Sequence, residues 1–316
     1  MLVLFKMKAL VTGGCGFIGS WLVDELLEKG NEVIVIDILS FGRKYLNKNA
    51  IFYELDILNE EKLNKVFVKE KPEIVFHLAA NSLLRKSIED PIYDANSNIL
   101  GTIKVLECCR KNNIKKIIYT STGGARVGEP SYLPVDENHP IKPLSPYGIS
   151  KHTAEHYVEM YGKIYEIEYF IFCFGNVYGP RDNTASKRLI PSFIDLVLKG
   201  ETPIIFGDGN QTRDFIYVLD LVDFLIESID KLGGTENKLF HLANGEQVSV
   251  NEVVRLLKKI SGKNFEVKHA DEIKGEVKDI VLDIRLVQKE LAWSPKTDIE
   301  QGLKETWEWF ELRNLK

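Results

Sequence analysis

Short β-branched runs alternate with amphipathic stretches through the first half of the chain. That alternation reads as parallel strands joined by crossover helices. Strands are expected at Lys8–Val11, Glu32–Ile36, Ile51–Glu54, Ile74–His77, Lys116–Tyr119 and Tyr169–Phe174. Helices are expected at Gly19–Lys29, Asn59–Lys69, Asn96–Asn112 and Ser150–Tyr165; in the first, Trp21, Leu22, Leu26 and Leu27 keep the spacing of one apolar face. The rhythm breaks after Asn176. Gly179-Pro180 opens a polar loop over 182–188, Pro191 sits near the start of an apolar helix at Ser192–Leu198, and the chain ends in a helix at Ile299–Leu312. The expected fold class is α/β, a Rossmann doubly wound parallel sheet with a smaller C-terminal α/β domain. The expected division gives residues 1–176 with about 213–232 to the first domain, and 177–212 with 233–316 to the second.

Composition changes this picture little. Of 316 residues, 44% are hydrophobic and 28% charged, which is ordinary for a globular chain with a sizeable core. A net charge of −5 gives no reason to expect nucleic acid or an anionic membrane as partner, so any anionic ligand must be met by individual arginines. Cys15, Cys108, Cys109 and Cys173 form no C-x-x-C pair and no metal spacing. They read as buried thiols of a reducing cytoplasm, with no metal expected. No run approaches a membrane span. The first six residues are too short for a signal peptide, and Met7 is an alternative start.

Candidate chemistry begins where the first strand ends. Thr12-Gly13-Gly14-Cys15-Gly16-Phe17-Ile18-Gly19 leads from a strand into a helix, with glycines at 13, 16 and 19. A tight turn, close backbone approach and helix packing each need a missing side chain, and the helix N-terminus then faces a pyrophosphate. Asp37 closes the second strand near the ~20-residue offset of the acid that holds the ribose hydroxyls. An acid there repels a 2′-phosphate, so NAD is expected over NADP; the competing reading of Asp37 is a strand-end turn residue. Asp56 and Ile57 are candidates to hold the adenine. Leu78, Ala79 and Ala80, after the fourth strand, would let the backbone line the dinucleotide, while His77 reads as structural.

Tyr147-Gly148-Ile149-Ser150-Lys151 begins a helix, which puts Tyr147 and Lys151 one turn apart on one face. A phenol near pKa 10 is a poor base. An adjacent ammonium and a cationic nicotinamide would favour its phenolate. The bland alternative is an ordinary exposed pair. The hydroxyl cluster Thr120-Ser121-Thr122 at a strand's carboxyl end supports chemistry, because ligands of open α/β sheets bind there and a hydroxyl can stabilise a developing oxyanion.

Thr-Gly-Gly-Cys-Gly-Phe-Ile-Gly19, His77-Leu-Ala-Ala80, Asn98 with Gly101-Thr102, Ser145-Pro-Tyr-Gly-Ile-Ser-Lys151, Asn176-Val-Tyr-Gly-Pro180 and Thr212-Arg-Asp-Phe-Ile-Tyr217 occur in this order. Together they resemble the extended short-chain dehydrogenase/reductases, most closely the UDP-glucose (UDP-galactose) 4-epimerases. The resemblance runs to Trp293-Ser-Pro295 and the last helix. It implies bound NAD, with Asn98 in the cofactor motif set, and a homodimer through helices including Asn96–Asn112 and Ser150–Tyr165. It implies that a tyrosinate at Tyr147 deprotonates the sugar 4-hydroxyl, that Asn176 and Arg213 hold the diphosphate, and that Leu189 and Phe206 cradle the uracil. Plain core packing for Leu189 and Phe206, and pairing of Arg213 with Asp214 or Asp220, remain open alternatives.

The chain departs from that family in places. The family hydroxyl falls on Gly123, so its role passes to Thr122 or Ser121, with a Gly123-Gly124 loop expected to swing Thr122 inward. The usual Val-Tyr-Gly is Arg126-Val127-Gly128, and the usual Leu-Arg is Phe172-Cys173. Gly175 replaces a common aromatic, implying a wider sugar pocket. Ile273 stands where the family has a phosphate-binding arginine near Lys274-Gly275-Glu276, which implies weakened diphosphate contact. Ile280 occupies the position that gates N-acetyl sugars, implying tolerance of a 2-acetamido group. Gly123-Gly124 lacks the acid that 4,6-dehydratases and UDP-glucuronate decarboxylases carry there. A nucleotide-sugar reductase or 4-ketosugar dehydrogenase, and a non-catalytic NAD-binding regulator, stay as competing readings.

Overall fold

The computed structural model describes residues 6–235, 238–272 and 277–314. They form two compact units: Met1–Arg126 with Pro143–Cys173 and Val222–Phe240, and Val127–Lys142 with Phe174–Leu221 and His241–Lys316. Segment 127–142 thus joins the second unit, and the return to the first runs later than the sequence suggested.

The first unit follows the β–α rhythm: β1 (Lys8–Thr12), α1 (Phe17–Glu28), β2 (Glu32–Asp37), β3 (Ile51–Glu54), α2 (Glu60–Glu70) and β4 (Ile74–His77). Then come α3 (Leu84–Glu89), α4 (Pro91–Ala95), a π-helical turn (Asn96–Leu100), α5 (Gly101–Lys111), β5 (Lys116–Thr122), α6 (Gly123–Val127), α7 (Pro146–Tyr165) and β6 (Glu168–Phe174). With Leu239–Leu242 they make a seven-stranded sheet. Counting outward from that last strand, the order is β6, β5, β4, β1, β2, β3. The pairs β1–β2, β1–β4, β2–β3 and β4–β5 are parallel. The order reverses between β1 and β4, the switch point where doubly wound sheets bind ligands at the strands' carboxyl ends. Strands such as β2 and β4 are near-continuous apolar runs because both faces are covered. One core joins Leu10, Ile34, Val75, Ile117 and Ile171 from the sheet to Leu63, Phe67, Leu106, Ala154 and Val158 from α2, α5 and α7.

Two of the expected helices differ in ways that shape the site. The expected Asn96–Asn112 helix is interrupted by the π turn, whose wider ring turns Asn98 into the protein, leaving it 1% exposed. Helix α7 starts earlier, at Pro146, because Ser145 caps it: the Gly148 N–H donates to Ser145 Oγ (3.2 Å), and Pro146 fits the first turn.

The second unit is built from short pieces: β7 (Asn176–Tyr178), α8 (Leu189–Lys199), β8 (Ile204–Phe206), β9 (Thr212–Arg213) and β10 (Phe215–Tyr217), then α9 (Val218–Glu227) leading out of it. The strand Leu239–Leu242, here β11, is followed by β12 (Val248–Ser249), α10 (Val250–Ser261), β13 (Lys268–Ala270), α11 (Arg285–Leu291) and α12 (Ile299–Asn314). Three two-stranded sheets pair β10 with β7, β12 with β9 and β13 with β8. They pack with α8, α10 and α12 around Phe193, Ile194, Val253, Leu257, Leu303 and Trp307.

Candidate active site

The glycine turn is fixed by backbone contacts. Gly13 adopts φ +73°, and a Cβ there would lie 2.8 Å from Ala79 N. At Gly19 a Cβ would lie 2.1 Å from the Gly13 carbonyl oxygen. Only glycine lets the turn close on itself and against the Leu78-Ala79 backbone. Phe17 and Ile18 open α1, whose N-cap Gly16 supplies no side chain, so the first amides stay available to an anion. The Asp37 carboxylate accepts from Cys15 N (2.9 Å) and Leu39 N (2.6 Å), which ties the acid to the glycine turn. Burial pushes its carboxyl above the ordinary range against those backbone donors. These features fit a dinucleotide with unmodified ribose.

Asp56 is exposed and accepts from its own turn at Leu58 N (2.9 Å). Ile57 is 7% exposed, packed where a Cβ on Gly101 would lie 2.6 Å away. His77 hydrogen-bonds Thr12 Oγ1 (2.7 Å) and Thr102 Oγ1 (2.9 Å), and burial lowers it to about 3, so it is a neutral structural bridge. Leu78, Ala79 and Ala80 are half-buried behind it. Asn98 differs from its expected place among cofactor contacts. Its Oδ1 accepts from Asn81 N (2.8 Å), while Nδ2 is shared among Asn81 O (3.1 Å), Asp94 (3.1 Å) and Ser150 (3.0 Å). It positions the loop after β4 from behind.

Tyr147 and Lys151 lie in the first two turns of α7, and the Tyr147 N–H donates to Ser87 Oγ (3.2 Å). Lys151 is 4% exposed with Nζ 4.3 Å from the Tyr119 ring centroid. Burial lowers its ammonium to about 8, with Glu155, Cys173 and Asp94 pulling the other way. The start of α7 is locked onto α6: a Cβ on Gly148 would lie 2.1 Å from Ala125 O. Thr122 Oγ1 caps that same short helix by accepting from Ala125 N (3.4 Å). Gly123-Gly124 is therefore helical rather than a swinging loop, and packing brings Thr122's turn to Tyr147's. Ser121 is 5% exposed and donates to Glu155 Oε1 (2.5 Å), so its hydroxyl serves the helix rather than a ligand.

In the second unit, β10–β7 pairing sets Asn176 opposite Phe215, two residues beyond Arg213. Arg213 Nη1 donates to Thr212 O (2.8 Å) and Lys278 O (3.0 Å). Asp214 is spoken for by Asn244, Gly245 and Leu282 amides, and Asp220 by Lys296 and Thr297. Sequence reading missed this use of Asp214, because its three donors come from distant segments. Phe206 is 40% exposed, whereas Leu189 packs against the core.

The NAD dependent epimerase/dehydratase family model matches residues 9–243, most of the chain and all of the glycine turn, Tyr147 and Lys151. The chain belongs to that family. It is 34% identical to the UDP-glucose 4-epimerase of Mycolicibacterium smegmatis, covering 98% of this chain and 100% of the relative. The Thermotoga maritima UDP-glucose 4-epimerase, solved with UDP-glucose, superposes with a TM-score of 0.94 at 40% identity, covering 98% of this chain and 100% of that one. The Thermus thermophilus UDP-glucose 4-epimerase, in complex with NAD, superposes with a TM-score of 0.90 at 33% identity, covering 96% and 99%.

Within this epimerase/dehydratase chain two departures acquire a physical reason and one does not. A Cβ on Gly175 would lie 2.8 Å from Asp214 O and 3.1 Å from Ala243 Cβ, so Gly175 permits close backbone approach there. Ile280 is 5% exposed and packs with Val127, Val135, Ala243 and Leu282. Ile273, Lys274, Gly275 and Glu276 lie outside the described residues. Among the described residues no cluster of three or more His, Cys, Asp or Glu side chains is placed to hold a metal, and no helix is long and apolar enough to cross a membrane.

Proposed function

We propose that this protein is an NAD-dependent nucleotide-sugar 4-epimerase that interconverts UDP-glucose and UDP-galactose. The carrying observation is the buried Lys151 one turn after Tyr147, at a helix start locked to the turn that Thr122 caps. The glycine turn and Asp37 hold the dinucleotide. NAD held there would supply the hydride acceptor and donor for sugar C4.

The rest is done by side chains. Thr122 hydrogen-bonds the sugar 4-oxygen. Tyr147, kept as phenolate by the Lys151 ammonium, takes the 4-hydroxyl proton and gives it back once the 4-keto sugar has turned over. Asn176 and Arg213 hold the diphosphate by charge-assisted contacts, and the exposed Phe206 ring offers a stacking face to uracil. A homodimer in the cytoplasm belongs to the same proposal, as does turnover of N-acetylated sugars.

The test is incubation with UDP-galactose, and separately UDP-N-acetylgalactosamine, without added cofactor, followed by product separation. Inversion at C4 without net NADH, abolished in Tyr147→Phe, is expected. Net NADH would replace the proposal with a dehydrogenase. No product from either sugar, despite bound NAD, would exclude both substrates.

A further inference from the structure

One buried ionic cluster beside the acid–base pair is not used by that mechanism. Glu155 lies one turn past Lys151 on α7 and is 1% exposed. Ser121 from β5 donates to its Oε1 (2.5 Å), and His152 Nδ1 meets Oε2 (2.8 Å). Arg126 from α6 pairs with Oε2 (3.2 Å). Arg126 is itself 4% exposed, and its Nη1 donates to Cys173 Sγ on β6 (3.4 Å).

Burying a guanidinium and a carboxylate together is costly, and an apolar pair of similar volume commonly does as well for stability. The pair therefore calls for another return. Position also matters: the resembled pattern has an aliphatic residue at 126 and an arginine at 173, and here arginine stands at 126 and cysteine at 173, in contact. We infer that Arg126 is a positioning residue for Tyr147 and Lys151, acting through Glu155, and that it delivers from α6 the guanidinium the pattern carries on β6. The inference rests on Tyr147 and Lys151 being the acid–base pair. Arg126 and Ser121 together hold the Glu155 carboxylate away from Lys151. Without the guanidinium, Glu155 becomes a buried anion one turn from the ammonium and competes with the phenolate for it. A positioning role of this kind lowers kcat and leaves KM nearly unchanged.

The experiment compares wild type, Arg126→Val, the exchange Arg126→Val/Cys173→Arg, and Tyr147→Phe as holoenzymes. Arg126→Val is expected to lose about tenfold or more in kcat with KM nearly unchanged, and the exchange to regain most of it, as coupled neighbours do. Arg126→Val with wild-type kcat overturns the inference, as does an exchange variant that recovers nothing. If Arg126→Val fails to fold, the exchange decides alone: a folded, active exchange supports the inference, and an unfolded or inactive one overturns it. Should Tyr147→Phe keep wild-type turnover, the acid–base reading fails separately, whatever Arg126 does.

Discussion

Lys151 was legible as half of a pair from its spacing to Tyr147, but its burial was not, since Tyr119, Asp94 and Cys173 reach it from other parts of the chain. That burial has a consequence for stability. The folded-state value, about 8, lies below the ordinary 10.5, so between those values the unfolded chain binds a proton that the folded one lacks. Stability from this group therefore rises with pH across that window, and the penalty is full below about 8. Lys151→Met should raise the stability of cofactor-stripped protein at pH 7 by about 3 kcal/mol, while lowering kcat by about 10²-fold or more. Urea midpoints at pH 7 and pH 10 check it; a variant less stable than wild type at pH 7 contradicts the burial argument. Arg213 is the second residue-scale case. Its two carbonyl contacts aim the fork, and the motif around it, not its neighbours, marked it. On the proposed diphosphate role, Arg213→Met should raise KM for UDP-galactose about tenfold or more with kcat largely kept, because a contact made equally in ground and transition states would be lost. A fall in kcat at constant KM would move Arg213 out of the diphosphate site.

At the scale of elements, buried parallel strands were read to within a few residues because two covered faces leave an unbroken apolar run. What escaped were elements defined by backbone contact. Gly123-Gly124 reads as a breaker, yet it starts α6, whose cap is Thr122 and whose Ala125 carbonyl is the seat for Gly148. The π turn at Asn96–Leu100 escaped too, since a one-residue widening leaves apolar spacing almost intact. The contact at Gly148 is the geometric join between the Thr122 turn and the Tyr147 turn, so it carries a prediction of its own. A Cβ 2.1 Å from a backbone oxygen forces α7 and α6 apart. Gly148→Ala should leave bound NAD in place yet lower kcat about tenfold or more, because small displacements of an acid–base group are costly. Turnover by Gly148→Ala equal to wild type would mean that the join does not set the catalytic geometry.

For the molecule as a whole, the sequence announced two units but misplaced where the chain passes between them, since 127–142 carries no compositional break. The outer helices of the first unit leave large apolar side chains in solvent: Ile88 on α3 is 58% exposed, Ile92 on α4 73%, Leu100 in the π turn 47%, and Ile149 and Ile164 on α7 51% and 61%. Scattered exposed aliphatics are ordinary, but several on adjoining helices suit burial against a second copy. These include the two segments that the resemblance assigned to a homodimer, and a symmetric pair would present each face to itself. Ile92, Leu100 and Ile164 are exposed, so replacing them together by arginine costs about 0.5 kcal/mol or less each in the isolated fold. Within a dimer the same charges would be buried without partners, which is expensive. Wild type should therefore sediment as a dimer whose Tm rises with protein concentration, and the triple variant as a monomer whose Tm does not. A triple variant that stays dimeric would take these helices out of the interface, and a monomeric wild type would remove the dimer altogether.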